Sequence, residues 1–198
     1  MSFWSENNVE PKRNYRFLVS FNTTTQNFNK GVVWFAKNVT VPSFNVTSVT
    51  HDFLDNKYYY PGRVEWQTIS LTLVDPVSPD AVQFVNEILE DTGYLVKNSL
   101  QATIGNAKTI SKAKATKDAG LADMEINIIN EDGEALETWK LQNPFIESAK
   151  FGDLDYTNDD LRTVELTVKY DWATCDIRGR GDTFFKAGAN TTTNNTSN

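Results

Sequence analysis

Apolar and polar positions alternate along most of this chain, and a period of two predicts half-buried β-strands. In Arg13–Phe21, Tyr15, Phe17, Val19 and Phe21 point one way and Arg16 and Ser20 the other. A polar Thr/Asn/Gln loop follows, and Gly31 opens a second strand, Val32–Val41. Pro42 closes it, because proline has no N–H to give a ladder. Ser43–Leu54 is a further β-like stretch in which Phe44, Val46 and Val49 break strict alternation. Asp55–Gly62 reads as a turn and an aromatic run ended by a Pro61-Gly62 breaker. Trp66–Val74 is a clear strand, with Ile69, Leu71 and Leu73 alternating with Thr68, Ser70 and Thr72 before Asp75-Pro76 ends it.

The period then changes. Ser78-Pro79-Asp80 announces a helix, with Ser as N-cap, Pro at the first helical position and an acid in the first turn. Ala81, Val82, Val85, Ile88 and Leu89 fall on one face at 3.6-residue spacing, and Gly93 sits where a glycine ends a helix. The predicted helix covers about residues 79–91, and it is the one helix the pattern supports. Residues 98–120 are rich in Ala, Thr, Lys and Ser with a thin apolar pattern, compatible with a short helix or an extended loop.

Strand periodicity returns in Leu121–Ile129. Asn130–Gly133 reads as a hairpin turn, since Asp-Gly supplies positive φ, and Ala135–Gln142 is its partner strand. Phe145–Gly152 continues the sheet, and an acidic turn spans Asp153–Asp160. In the cleanest strand, Val164, Leu166, Val168, Tyr170 and Trp172 alternate with Thr163, Glu165, Thr167, Lys169 and Asp171. The expected fold is mainly β, a β-sandwich or partly closed barrel of seven or eight strands with one packed α-helix.

At 198 residues the chain fits one domain. The expected organisation is an N-terminal arm over 1–12, a β domain over 13–175 with 98–120 as a Lys-rich insertion, and a C-terminal extension over 176–198. The end of that extension, Asn190–Asn198, holds only Asn, Thr and Ser and is expected to be disordered, having nothing apolar to bury. Aromatics reach 12%, which favours pleated, half-buried surfaces and interfaces. The formal charge of −7 argues against a protein built to grip nucleic acid. A single cysteine, Cys175, excludes an internal disulfide framework. No apolar run approaches the length of a membrane span and no signal peptide is legible, so folding in a cytoplasm without a membrane anchor is expected.

Catalytic chemistry finds little purchase. His51, the one histidine, has Asp52 beside it, but neighbours on a strand face opposite ways and make no dyad. Cys175 lies just past a strand end with no conspicuous histidine partner, which suits a structural thiol. Counted from Asp153 as a calcium loop, the acidic run places Asn158 and Val164 where Gly and Glu are required. A solvated turn in which Asp and Asn bond their own backbone fits better. Arg180-Gly-Asp182 is too short a match to carry weight, and no Gly-rich phosphate loop follows a strand. No catalytic, metal or cofactor site is expected.

Two clusters point to contacts instead. Tyr58-Tyr59-Tyr60, flanked by Phe53 and Trp66, cannot all face one core, so at least one tyrosine points outward, as suits an inter-subunit interface. Lys108, Lys112, Lys114 and Lys117 form the basic cluster. It reads either as a solvated face or as a salt-sensitive contact with an acidic neighbouring subunit or with passing DNA.

Several segments resemble the tail tube protein family of contractile-tailed bacteriophages. They are Arg13–Phe21, Val41–Val46, His51–Leu54 leading to Tyr60–Trp66, and Ile69–Pro76. Later come Trp139–Leu141, Asn143–Ile146, Phe151–Tyr156, Asp159–Leu161 and Tyr170–Ala173. The ordered set spans roughly residues 10–175. The resemblance implies a non-enzymatic virion protein whose copies form hexameric rings with joined sheets, in a fold shared with contractile injection and type VI secretion tubes. The rings stack into a tube inside a contractile sheath, and the tube conducts the genome into the host. Implied partners are further copies of the chain, the tail sheath protein, a baseplate tube initiator, a tape measure protein and a tail terminator, with phage DNA passing through the lumen. A tube initiator, or the tube of a contractile device without a genome, is the nearest alternative. A hydrolase or a carbohydrate-binding module on a β-scaffold stands further off.

Overall fold

The computed structural model describes residues 11–22, 36–78, 80–94, 110–113, 121, 123–157, 159–178 and 183–184. In chain order the elements are β1 (Phe17–Asn22), β2 (Ala36–Val39), β3 (Phe44–Phe53), β4 (Asn56–Trp66), β5 (Ile69–Val74) and α1 (Ala81–Asp91). There follow β6 (Asp123–Ile129), β7 (Ala135–Gln142), β8 (Phe145–Lys150), β9 (Thr163–Lys169), β10 (Trp172–Ile177) and β11 (Thr183–Phe184). One sheet has the order β1-β6-β7-β10-β11, a second β2-β5-β9-β8, and β3 and β4 form a separate two-stranded ribbon. Among the described residues, neighbouring strands in these sheets pair antiparallel. Neither of the larger sheets closes on itself, so the fold is a β-sandwich with one helix rather than a barrel.

The alternation that predicted the strands also builds the core. Ile69, Leu71 and Leu73 of β5 and Val164, Leu166 and Val168 of β9 are buried, and each pairs with its counterpart across the ladder. Val19 and Phe21 of β1 and Met124 and Ile126 of β6 do the same for the other sheet. These side chains join Phe84, Val85 and Ile88 of α1 in one hydrophobic cluster, so sheets and helix share a core. Full burial of each is worth roughly 1.5–3 kcal/mol, which is what orders the chain around it.

Helix α1 begins later than its sequence signals suggest. Its N-cap is Asp80, whose carboxylate accepts hydrogen bonds from the Val82 and Gln83 amides at 2.7 and 3.3 Å. Ser78 is therefore not the cap, and Asp75 accepts from the Ala81 amide at 3.0 Å while pairing with Arg162 at 3.3 Å. At the other end Gly93 adopts φ 102°, with its N–H on the Glu90 carbonyl and that of Tyr94 on the Leu89 carbonyl. This double bond is the glycine-terminated C-cap that the sequence predicts.

The β6–β7 turn also forms as predicted, with Gly133 at φ 80° and Asn130 Oδ1 accepting from the Asp132 and Glu134 amides. Three expectations need correction. Pro61-Gly62 does not break the chain but lies inside β4, which runs on to Trp66. Trp66 consequently closes β4, and the next strand begins at Ile69. The long predicted strand ending at Trp172 splits at Asp171, so Trp172 starts β10 and Cys175 lies within that strand, buried opposite Trp139. These divisions, with the short β2 and β11, raise the count above seven or eight. Residues 1–10 of the predicted arm over 1–12, most of 98–120 and nearly all of 179–198 lie outside the described residues.

Candidate assembly surface

The ribbon of β3 and β4 is where the molecule departs from an ordinary sandwich. All ten residues of β3 are exposed, and all of β4 before the half-buried Trp66. Yet the ribbon carries Phe44, Val46, Val49, Phe53, Tyr58, Tyr59, Tyr60 and Val64. A two-stranded hairpin of this length is marginal in water without a surface to lie on. At its tip Leu54 is 86% exposed and takes φ 52°, a left-handed conformation that leucine seldom adopts.

The pairing register assigns faces. Phe44 faces Trp66 and Val46 faces Val64, but the next pair is Ser48 with Pro61, so Gly62 and Arg63 together oppose Thr47. This bulge is held by the Thr47 hydroxyl, which accepts from the Arg63 amide at 2.9 Å and lies 3.3 Å from the Arg63 carbonyl oxygen. A bulge shifts side-chain parity along one strand. Beyond it Val49 pairs with Tyr60, His51 with Tyr58 and Phe53 with Asn56, all on one face. The other face carries Ser48 with Pro61, Thr50 with Tyr59, and Asp52 with Lys57.

At the base of the ribbon, on the face of Phe44, an aromatic column leads into the core. The Phe44 and Trp66 rings meet edge-on at 5.4 Å, and Trp66 lies 6.0 Å from Tyr170. Tyr170 is buried, and burial pushes its phenol up to about 12, with the Ser43 backbone pulling the other way. The Gln67 amide donates to the Ser43 carbonyl at 2.9 Å and ties the strand ends together.

Of the residues singled out in the sequence for inter-subunit contact, the structure brings Phe53, Tyr58 and Tyr60 to one exposed face. It turns Tyr59 to the other and commits Trp66 to the column beneath. Val49 and His51, which that reading did not include, belong to the Tyr58–Tyr60 face. The signal was Gly62, a glycine inside a strand pattern being a mark of a bulge.

Lys112 ion-pairs with Asp171 at 2.7 Å, and Asn143 donates to the same carboxylate at 2.8 Å. The Lys112 ammonium, more than the Asn143 amide, holds the Asp171 carboxyl below its usual range. Lys108, Lys114 and Lys117 lie outside the described residues. Around the β6–β7 turn Arg178 pairs with Glu134, Arg16 with Glu131 and Lys12 with Glu137.

His51 and Asp52 face opposite sides of the ribbon. The Cys175 thiol is pushed up by burial and by Asp176, which makes it a poor nucleophile. Within the acidic turn, Asp155 accepts from the Thr157 amide at 3.0 Å, the self-bonded loop expected, and this bond lowers its carboxyl. A cleft of about 310 Å3 there mixes Lys37 and Arg162 with Asp153, Asp155 and Asp160. Among the described residues no three His, Cys, Asp or Glu side chains converge as a metal site, and no helix is long and apolar enough to cross a membrane.

No protein-family model matches the chain, and no curated protein matches it in sequence. Solved structures do. A chain of the six-fold symmetrised baseplate of the anti-feeding prophage (AFP) superposes with a TM-score of 0.59 at 16% identity, over 85% of this chain and 97% of its own. A chain of the sheath–tube complex of an extracellular contractile injection system, PVC, in the extended state gives 0.56 at 20% identity, over 89% and 99%. One from the AFP tube-terminating cap gives 0.56 at 20% identity over the same shares. The fold is thus one found in the assemblies of contractile injection systems.

Proposed function

We propose that this chain is a non-enzymatic tube subunit whose copies close into rings, hexameric by analogy with the six-fold baseplate, and that the rings stack into the inner tail tube of a contractile phage. The observation that carries the reading is the exposed aromatic ribbon on a fold shared with sheath–tube and baseplate chains. Such a ribbon suits a contact with another copy, through Phe53, Tyr58 and Tyr60 on one face and Tyr59 on the other. The β8 and β2 edges of the smaller sheet offer pairing groups on their outer sides, which joining sheets between copies would cover. The Lys-rich segment, with Lys108, Lys112, Lys114 and Lys117, is assigned a salt-sensitive contact.

In this reading the tube lies inside a sheath protein and starts on a baseplate tube initiator. A tape measure protein sets its length and a terminator closes it. It forms in the host cytoplasm and resides in the virion tail. Phage DNA passes through the lumen without specific binding, and the chain's charge of −7 favours a channel that repels phosphate. No cofactor takes part.

Negative-stain electron microscopy of the purified chain, with light scattering alongside, tests the proposal. Rings or hollow tubes of uniform width support it. A monodisperse monomer at high concentration, across salt and after addition of the initiator, overturns it. A second reading, the tube of an injection device without a genome, is favoured by the PVC and AFP likenesses. Capsid and terminase genes beside this one decide for the phage.

A further inference from the structure

The β6–β7 hairpin lies inside the five-stranded sheet, with β1 on one side and β10, then β11, on the other. Antiparallel pairing sets Phe17, the first residue of β1, opposite Ile128, and Ile177, the last of β10, opposite Glu137. The chain therefore enters β1 and leaves β10 at the same edge, the one that carries the hairpin turn. Three glutamates stand there at every third position, Glu131, Glu134 and Glu137. Each meets a cation from outside the hairpin. Arg16 pairs with Glu131 at 3.2 Å, and Lys12 pairs with Glu137. Arg178 grips Glu134 through both terminal guanidinium nitrogens, with Nη2 on Oε1 at 3.0 Å, and this bond holds the carboxyl below its ordinary range.

Burial does not hold these places. Residues 11–15 are all exposed, Tyr15 at 73%, and Arg178 is exposed as well. Each side adds a main-chain bond, from the Ile129 amide to the Arg16 carbonyl at 3.1 Å and from the Arg178 amide to the Leu136 carbonyl at 3.0 Å. Further in, Val19 and Phe21 of β1 and Ala173 and Cys175 of β10 are buried and anchor the strands themselves. Exposed ion pairs are weak singly and are screened by salt, and segments with few apolar contacts open more readily than the core behind them. We propose that the β6–β7 hairpin is a charge clamp on the outer strands of its sheet. At low ionic strength it holds the lead-in to β1 and the corner between β10 and β11, and as ionic strength rises it releases both with the sandwich intact. All of these contacts lie within one copy, so the clamp does not depend on tube assembly.

The test is hydrogen exchange of the full chain at low concentration, read at the Arg16, Ile129 and Arg178 amides between about 0.05 and about 1 M sodium chloride. Exchange at these amides should rise about three- to tenfold with salt, as three exposed pairs acting together allow, while the amides of β5 and β9 stay unchanged. The β5 and β9 amides also report whether each variant is folded. Combining Glu131→Gln, Glu134→Gln and Glu137→Gln should raise exchange at the three amides already at low salt and remove most of its salt dependence. Arg178→Glu should loosen the corner between β10 and β11. Arg178→Glu together with Glu134→Arg restores the pair in reverse and should tighten that corner again. The proposal is overturned if salt leaves the three amides unchanged, or if β5 and β9 open with them. It is equally overturned if the glutamine variant keeps the wild-type response, or if the reversed pair behaves as Arg178→Glu alone.

Discussion

A Cβ placed on Gly62 would stand 2.4 Å from the Thr47 hydroxyl and 3.0 Å from the Thr47 carbonyl oxygen. No side chain is small enough to fit, so the β4 bulge depends on glycine at this point. Gly62→Ala should force the two strands apart or out of register, a strain of about 1–3 kcal/mol. Apart from its base, where Trp66 packs against the core, the ribbon is exposed, so the cost should fall on it. Hydrogen exchange should rise across residues 44–66 while the exchange of β5 and β9 is unchanged, and assembly should be lost. Uniform exchange rates would show that the bulge is dispensable.

Helix α1 is capped twice, by Asp80 on two amides and by Asp75 on a third. Asp80→Ala should lower the denaturant midpoint by the equivalent of about 1 kcal/mol, and Asp80→Asn, which keeps the acceptor, by much less. Asp75→Ala should cost more, roughly 1–3 kcal/mol, because the carboxylate is nearly buried and Arg162 loses its ion pair as well. Urea titrations of the three variants rank them directly.

The Lys112–Asp171 pair makes an acid-side prediction. The folded carboxyl is held below its ordinary value by Lys112, so its contribution is present above the unfolded value near 3.9 and is lost as pH falls through the depressed one. The two side chains are 64% and 33% exposed, and solvent screening limits the pair to below about 1 kcal/mol. Lys112→Met should destabilise by that small amount at pH 7 and by progressively less as the pH falls through the depressed carboxyl. A destabilisation that persists in acid would show Lys112 acting through packing.

Tyr170 makes the opposite prediction at high pH. Its phenol is raised to about 12 by burial, so the stability it confers is complete below the unfolded value near 10 and is lost as pH rises through 12. The ultraviolet difference between wild type and Tyr170→Phe should show one phenolate appearing near pH 12 in the folded protein. Tyr170→Phe should flatten the alkaline fall in stability. A phenolate near pH 10 would mean that the column beneath Trp66 is open to water.

What was legible in the sequence is what short-range chemistry decides. Period two in Ile69–Leu73 and Val164–Val168 reported two buried faces, since a strand with one wet side has little other way to be written. Asn130–Gly133 and Gly93 reported their turns because positive φ is a local demand. Local signals that tied were settled by distant partners. Ser78 and Asp80 are both fit to cap a helix, and the choice reflects Asp75, which binds the Ala81 amide and is anchored by Arg162. Trp66 adjoins the alternating run Ile69–Leu73 but stands one position out of phase with it, and Tyr170 and Phe44 pack against it in the preceding strand. Trp172 continues the alternation of β9, yet Lys112 and Asn143 hold Asp171 at a corner that turns it into β10. Pro61-Gly62 alone signals a break; opposite Thr47 it becomes a bulge that sends Tyr58 and Tyr60 to a different face from Val64 and Trp66. Strand periodicity is a property of neighbours along the chain, whereas a face is a property of two strands in register. The tyrosine cluster could therefore be read from the sequence, and the surface it makes only from the fold.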